Sequence, residues 1–124
     1  MKCNELMVGD WIVESHGFPM QVTTVGQDFL YADFEGNEGD AWEFDDKDSL
    51  PYSVALTDKF FERNNFDVEI LHWSKDKDGS NGYNIAISPF DPPFGPSANM
   101  HHVHELQQIL RLGGYAELAN NVKL

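Results

Sequence analysis

Between Trp11 and Phe44 the chain alternates apolar and polar residues and is interrupted at short intervals by glycine, which dictates short antiparallel strands. Trp11-Ile12-Val13 reads as a first strand, broken by the loop Ser15-His16-Gly17-Phe18-Pro19, and Met20 to Val25 reads as a second. Gly26-Gln27-Asp28 leads tightly into a third strand, Phe29 to Phe34. Strand alternation there sets Phe29, Tyr31 and Asp33 on one face and Leu30, Ala32 and Phe34 on the other. Glu35 to Asp40 reads as a turn-rich loop and Ala41 to Phe44 as a short fourth strand. Strands of this length and spacing predict a small curled sheet or barrel of SH3-like type over residues 1–48. Trp11, Trp42 and Trp73, all on alternating segments, read as core, the other reading being a partner groove that they would line with Phe90 and Phe94.

The remaining residues, 49–124, change period. After a charged linker ending at Leu50-Pro51, a short helix is expected from the N-cap Thr57. Leu56 and Phe61 are spaced for a hydrophobic staple, and Asp58 suits the positive end of the helix. Asn64-Asn65 can take the left-handed closing conformation, with Phe66 folding back as an anchor. Asp67 to Trp73 and Tyr83 to Ile87 alternate again and predict a hairpin with a long loop between them. Ser88 to Asn99 holds four of the six prolines together with Phe90 and Phe94, so it should run extended and leave those rings as an apolar contact. Val103, Leu106, Ile109 and Leu110 form the apolar stripe of a final helix over about Met100–Leu112, stopped by Gly113-Gly114. Tyr115 to Leu124 reads as a further helical turn or a tail. The fold class is α+β, with one domain over 1–124.

Charge narrows the function. The net charge is −13, and residues 1–58 hold thirteen acids against Lys2 and Lys47. Nine of those acids lie between Asp28 and Asp48, where only Lys47 opposes them. Such a field repels phosphate backbones, so direct nucleic-acid binding is excluded as a function class. A solvated acidic face, a docking surface for a basic protein and a cation site are the readings left. No apolar run approaches the ~18 residues of a membrane span. Cys3, the only cysteine, allows no intrachain disulfide, which fits a reducing cytoplasm.

Three segments occur in a fixed order: Asn4-Glu5-Leu6-Met7-Val8-Gly9-Asp10-Trp11-Ile12, then Leu50-Pro51 through Leu56-Thr57-Asp58 to Phe66, then Val103-His104-Glu105-Leu106-Gln107. Together they resemble a group of small uncharacterised proteins of Bacteroidetes genomes and their phages or mobile elements. The resemblance spans nearly the whole chain. It implies a bacterial cytosolic accessory protein, but no activity and no site residues.

The chemistry-bearing clusters are few. On a helix, His101 would share a face with His104 and Glu105, a spacing that presents zinc or nickel ligands. One or two further ligands, such as His16 or His72, would be needed, and the order lacks the His-Glu-x-x-His arrangement in which a carboxylate acts as base. Solvated histidines opening a helix give the same pattern. Asp76-Lys77-Asp78-Gly79-Ser80 resembles the start of a calcium loop, yet Asn81 and Ile87 stand where glycine and a closing glutamate belong. Ser15-His16 and Cys3 show no organised nucleophile, and Gly36 and Gly39 lie among acids rather than in a phosphate cradle. The expected function is therefore a non-catalytic acidic binding or adaptor module without a cofactor. Its contacts to a basic protein would come from Asp33, Glu35, Glu38, Asp40, Glu43, Asp45 and Asp46, with Phe90 and Phe94 beside them, in one version by mimicking phosphates. The alternative is a metal-binding protein or a metal-dependent enzyme that uses His101, His104 and Glu105.

Overall fold

A computed structural model describes residues 1–75, 82–87 and 98–124. The chain divides into two compact units, Met1–Val54 and Ala55–Leu124. Both combine antiparallel strands with short helices, so the α+β class holds. Phe90, Phe94 and the Asp76–Ser80 loop lie outside the described residues.

In the first unit a 3-10 turn, Cys3–Glu5, precedes β1 (Trp11–Val13), β2 (Pro19–Val25), β3 (Phe29–Phe34), β4 (Asn37–Asp45) and β5 (Tyr52–Ser53). The sheet order is β4-β3-β2-β1-β5, antiparallel throughout, with β4 and β5 as edges. No sheet among the described residues closes into a barrel. Leu30 and Ala32 face inward with Ile12, Met20, Val22 and Phe44, and Cys3 and Leu6 complete this core. The odd residues of β3 face outward, as the alternation requires.

The expected loop over Glu35–Asp40 is shorter than its composition suggests. Phe34 pairs with Asn37 across a two-residue turn, and β4 starts there. Gly36 (φ +82°) makes the turn, and Gly39 (φ +94°) takes up the register shift that follows. The Asp33 carboxylate accepts the Gly39 N–H at 2.8 Å, so the irregular backbone is satisfied locally.

In the second unit α1 (Asp58–Asn64) begins at Thr57, whose hydroxyl accepts the Phe60 N–H at 3.2 Å. It ends at Asn65 in the left-handed conformation (φ +47°), and the Phe66 ring returns to within 6.0 Å of Phe60. β6 (Leu71–Lys75), β7 (Tyr83–Ile87) and β8 (Ala98–Met100) form a three-stranded antiparallel sheet with β7 in the centre. Val68 to Ile70 turn rather than extend, so the expected strand start at Asp67 is corrected to Leu71. α2 (Val103–Leu112) buries Val103, Leu106 and Leu110 completely. Its start is three residues later than the apolar stripe suggests, because Met100 pairs with Tyr83 in the sheet. α3 (Ala116–Asn120) follows, and the terminal segment is tied down. The Asn64 side chain donates to the Lys123 carbonyl and accepts its N–H, both at 2.7 Å.

Of the three tryptophans only Trp11 is core, at 7% exposed. Trp42 and Trp73 are 52% and 40% exposed. Both lie on edge strands, where one side of the ring has no neighbouring strand among the described residues. Trp42 meets Phe34 edge-on at 5.4 Å, and Trp73 stacks on buried Phe61 at 4.4 Å.

Candidate functional site

Cross-strand pairing assembles the acidic face. Phe29 sits opposite Asp45, Tyr31 opposite Glu43 and Asp33 opposite Ala41, so the outward residues of β3 and β4 form one surface. At its Phe29 end lies a groove of about 440 Å³ lined by Asp28, Phe29, Tyr31, Glu43, Asp45, Asp46, Lys47 and Asp48. The Phe29 and Tyr31 rings meet edge to face at 5.8 Å. Tyr31 donates its hydroxyl to Glu43 at 3.2 Å, and that hydrogen bond to a carboxylate holds the phenol above its ordinary pKa.

The five carboxylates of the groove differ in their commitments. Asp45 accepts the backbone N–H groups of Lys47 and Asp48 at 2.9 and 2.7 Å, closing the turn that brings Asp48 round. Asp46 accepts the Cys3 N–H at 2.9 Å and so ties the N-terminal turn to the end of β4. Both are half-buried and structural as well as charged. Asp28 and Asp48 are exposed. All these donors are neutral, and no acid of the groove joins an ion pair among the described residues. The negative charge is therefore uncompensated from within the unit, apart from the nearby Lys47.

The acids expected from sequence thus separate into two groups. Glu43, Asp45 and Asp46 line the groove. Asp33, Glu35, Glu38 and Asp40 gather at the β3–β4 turn, four residues along β3 from Phe29, or roughly 13 Å. There Asp33 holds Gly39, and Asp40 accepts from the Asn37 side chain at 3.1 Å. The sequence marks Asp28 and Asp48 as the bounds of the acidic stretch without singling them out as contacts, and leaves Phe29 and Tyr31 out of the site. The alternation that put Phe29 and Tyr31 on the face of Asp33 could have added the two rings, but only the pairing register shows which acids oppose them.

No protein-family model, curated protein or solved structure matches the chain.

The histidine cluster is arranged differently from its sequence expectation. His101 precedes the helix and His102 is its N-cap, so the helical spacing that would align His101 with Glu105 does not apply. Glu105 instead accepts the His102 N–H at 3.0 Å, the carboxylate half of a capping box, and separately pairs with the His102 ring Nδ1 at 2.8 Å. His104 is buried, its ring stacked parallel to that of His102 at 5.7 Å. Among the described residues no group of three or more His, Cys, Asp or Glu side chains is placed to hold a metal ion.

Ser15, His16 and Glu14 lie together, but both contacts use one nitrogen. His16 Nδ1 is 2.8 Å from Glu14 and 3.5 Å from Ser15 Oγ. A catalytic relay needs the acid and the hydroxyl on opposite nitrogens of the ring. Glu14 instead closes the loop, accepting the His16 and Phe18 N–H groups at 2.7 and 3.1 Å. Desolvation would raise its pKa, and these hydrogen bonds together hold it below the ordinary value.

Proposed function

We propose that the chain is a non-catalytic binding module, and that its groove takes a lysine or arginine side chain of a basic protein partner. The carrying observation is the convergence of five carboxylates, free of ion pairs among the described residues, around two aromatic rings. A cation entering there gains Coulomb attraction from several acids and, against the ring faces, a cation–π contact. Opposite surface charges chiefly speed encounter and set specificity, while the aromatic floor supplies the apolar area that holds the partner. In this reading the sheet is an SH3-like scaffold, supported by the return of short β5 to β1 after the β2–β4 meander. The module would belong to a bacterial or mobile-element protein, as the sequence resemblance implies.

The test separates the groove from the net charge. Two triple variants each remove three negative charges. Asp28→Asn, Glu43→Gln and Asp48→Asn alter the groove and spare the structural Asp45 and Asp46. Glu35→Gln, Glu38→Gln and Asp40→Asn alter the turn. Immobilised protein is challenged with host lysate at low salt and eluted in salt steps up to about 0.5 M, where screening shortens the reach of exposed charge. A basic protein retained by the parent and the turn variant, and lost from the groove variant, supports the reading. Equal retention, or equal loss, by the two variants refutes it.

A further inference from the structure

The second unit holds a concavity of different character. About 650 Å³ in volume, it lies between the start of α1, the facing ends of β6 and β7, and the segment before α2. Lys59, Lys75, His101 and His102 line it, with Asp58 and Tyr83 at the wall. In a chain with eight lysines and arginines against twenty-one acids, a lining of two lysines to one aspartate among the described residues reverses the overall charge balance.

Asp58 is the one carboxylate of the lining among the described residues, and it is already engaged. The buried Tyr83 hydroxyl donates to it, and Lys75 Nζ lies 3.8 Å from its other oxygen. Burial and this hydrogen bond push the Tyr83 phenol up to about 12, so it stays a donor and does not act as a base. Lys59 forms no ion pair among the described residues. His102 is oriented by Glu105 through Nδ1, which leaves Nε2 as its second polar atom. Gly82 lets β7 start hard against this wall. Its φ is +71°, and a Cβ there would collide with the Met100 carbonyl and stand 2.9 Å from His101 Nδ1.

We propose that this concavity binds a small phosphate-bearing anion. Its donors are the Lys59 and Lys75 ammonium groups and the His101 imidazole, which act as single-point donors toward a tetrahedral oxyanion. Lysine meets phosphate as a compact point charge, and an oxyanion with nearly two charges gains more from two such groups than a carboxylate does. The volume exceeds that of a lone phosphate, so the organic part of a phosphate monoester fits beside it. A nucleic acid is the wrong class, because the chain's net charge of −13 repels an extended phosphate backbone while a single small anion meets only the local field.

The test titrates the 15N-labelled full chain with inorganic phosphate to about 20 mM, the range of millimolar affinities, with sodium chloride holding ionic strength constant. Saturable amide shifts are expected at Lys59, Tyr83 and His101, with acetate at least about threefold weaker because it carries one charge instead of nearly two. Lys59→Ala, on an exposed helical position, weakens phosphate by about fivefold. Asp58→Asn keeps an acceptor for Tyr83, removes a repelling charge of the lining, and strengthens phosphate by about twofold or more. Shifts that rise linearly, an equal response to acetate, or Lys59→Ala and Asp58→Asn both binding as the parent does would overturn the proposal. The acidic groove lies in the other unit, so either result leaves that reading to its own test.

Discussion

Cys3 should be among the least reactive of cysteines, and the reason can be measured directly. Its side chain is fully buried in the first unit's core. Desolvation, then a hydrogen bond to Asp46 and the charges of Asp46, Asp45 and Asp28, together raise its pKa from 9.0 to about 12. At pH 8 the thiolate fraction then falls about a thousandfold relative to a thiol of ordinary pKa, since each pH unit is a factor of ten. The assay is the alkylation rate with iodoacetamide between pH 7 and 11, for native protein and for protein unfolded in urea. The unfolded rate should level off near pH 9, while the native rate should keep climbing by about a decade per pH unit beyond it. Reaction through transient opening gives the same slope, because the closed state holds the proton until its own pKa is reached. A native rate that levels near pH 9, or that lies within about tenfold of the unfolded rate at pH 8, would refute the reasoning. Asp46→Asn keeps an acceptor for the Cys3 N–H but removes a charge, so it should accelerate the native reaction. The gain stays below a thousandfold because burial is the larger cause. The sign for stability is also fixed. A group whose folded pKa is raised stabilises fully below its unfolded pKa, so the first unit loses this contribution as pH rises from 9 toward 12.

The second unit carries its own alkaline sensitivity in Tyr83, whose stabilising contribution is complete below pH 10 and is lost as pH rises through about 12. Tyr83→Phe should cost about 1–2 kcal/mol at pH 8 by removing the donor to Asp58, and should flatten the loss above pH 10, read from urea midpoints by circular dichroism. Gly82→Ala should destabilise the same unit by about 1–3 kcal/mol, since the new methyl meets the Met100 carbonyl at a backbone angle that alanine disfavours. An unchanged urea midpoint for this variant would show that the β7–β8 contact relaxes freely.

What could be read from the sequence was local. Thr57, Asn65 and Phe66 announce both ends of α1 because capping chemistry depends on residues within one turn. The limits of β3 and β7 follow from alternation alone. Tyr52–Ser53 and Ala98–Met100 were not legible as strands, because two or three residues show no period and owe their pairing to partners far away in sequence. The helical alignment of His101 with Glu105 failed for a related reason. Pairing of Met100 with Tyr83 keeps the chain extended to the point where Glu105 can cap the helix from inside. The acidic groove was half legible. Its acids are plain in the sequence, but the register of β3 against β4 divides them between a groove and a turn. The lysine and histidine concavity draws on residues from Ala55 to His102 and left no local signal at all.

The β4 edge has a consequence for how copies of this chain treat one another. Residues 37–43 are exposed along an outer strand, and an edge of that length offers a row of backbone donors and acceptors to any extended neighbour. Trp42 adds apolar area to the same edge. A second copy approaching in register, however, brings Glu38, Asp40 and Glu43 against their own kind. These acids, of which only Glu43 belongs to the groove, therefore keep this edge from templating a chain of itself. Because that guard is electrostatic and exposed, it thins as salt rises, and concentrated salt is the condition under which identical edges come closest to pairing.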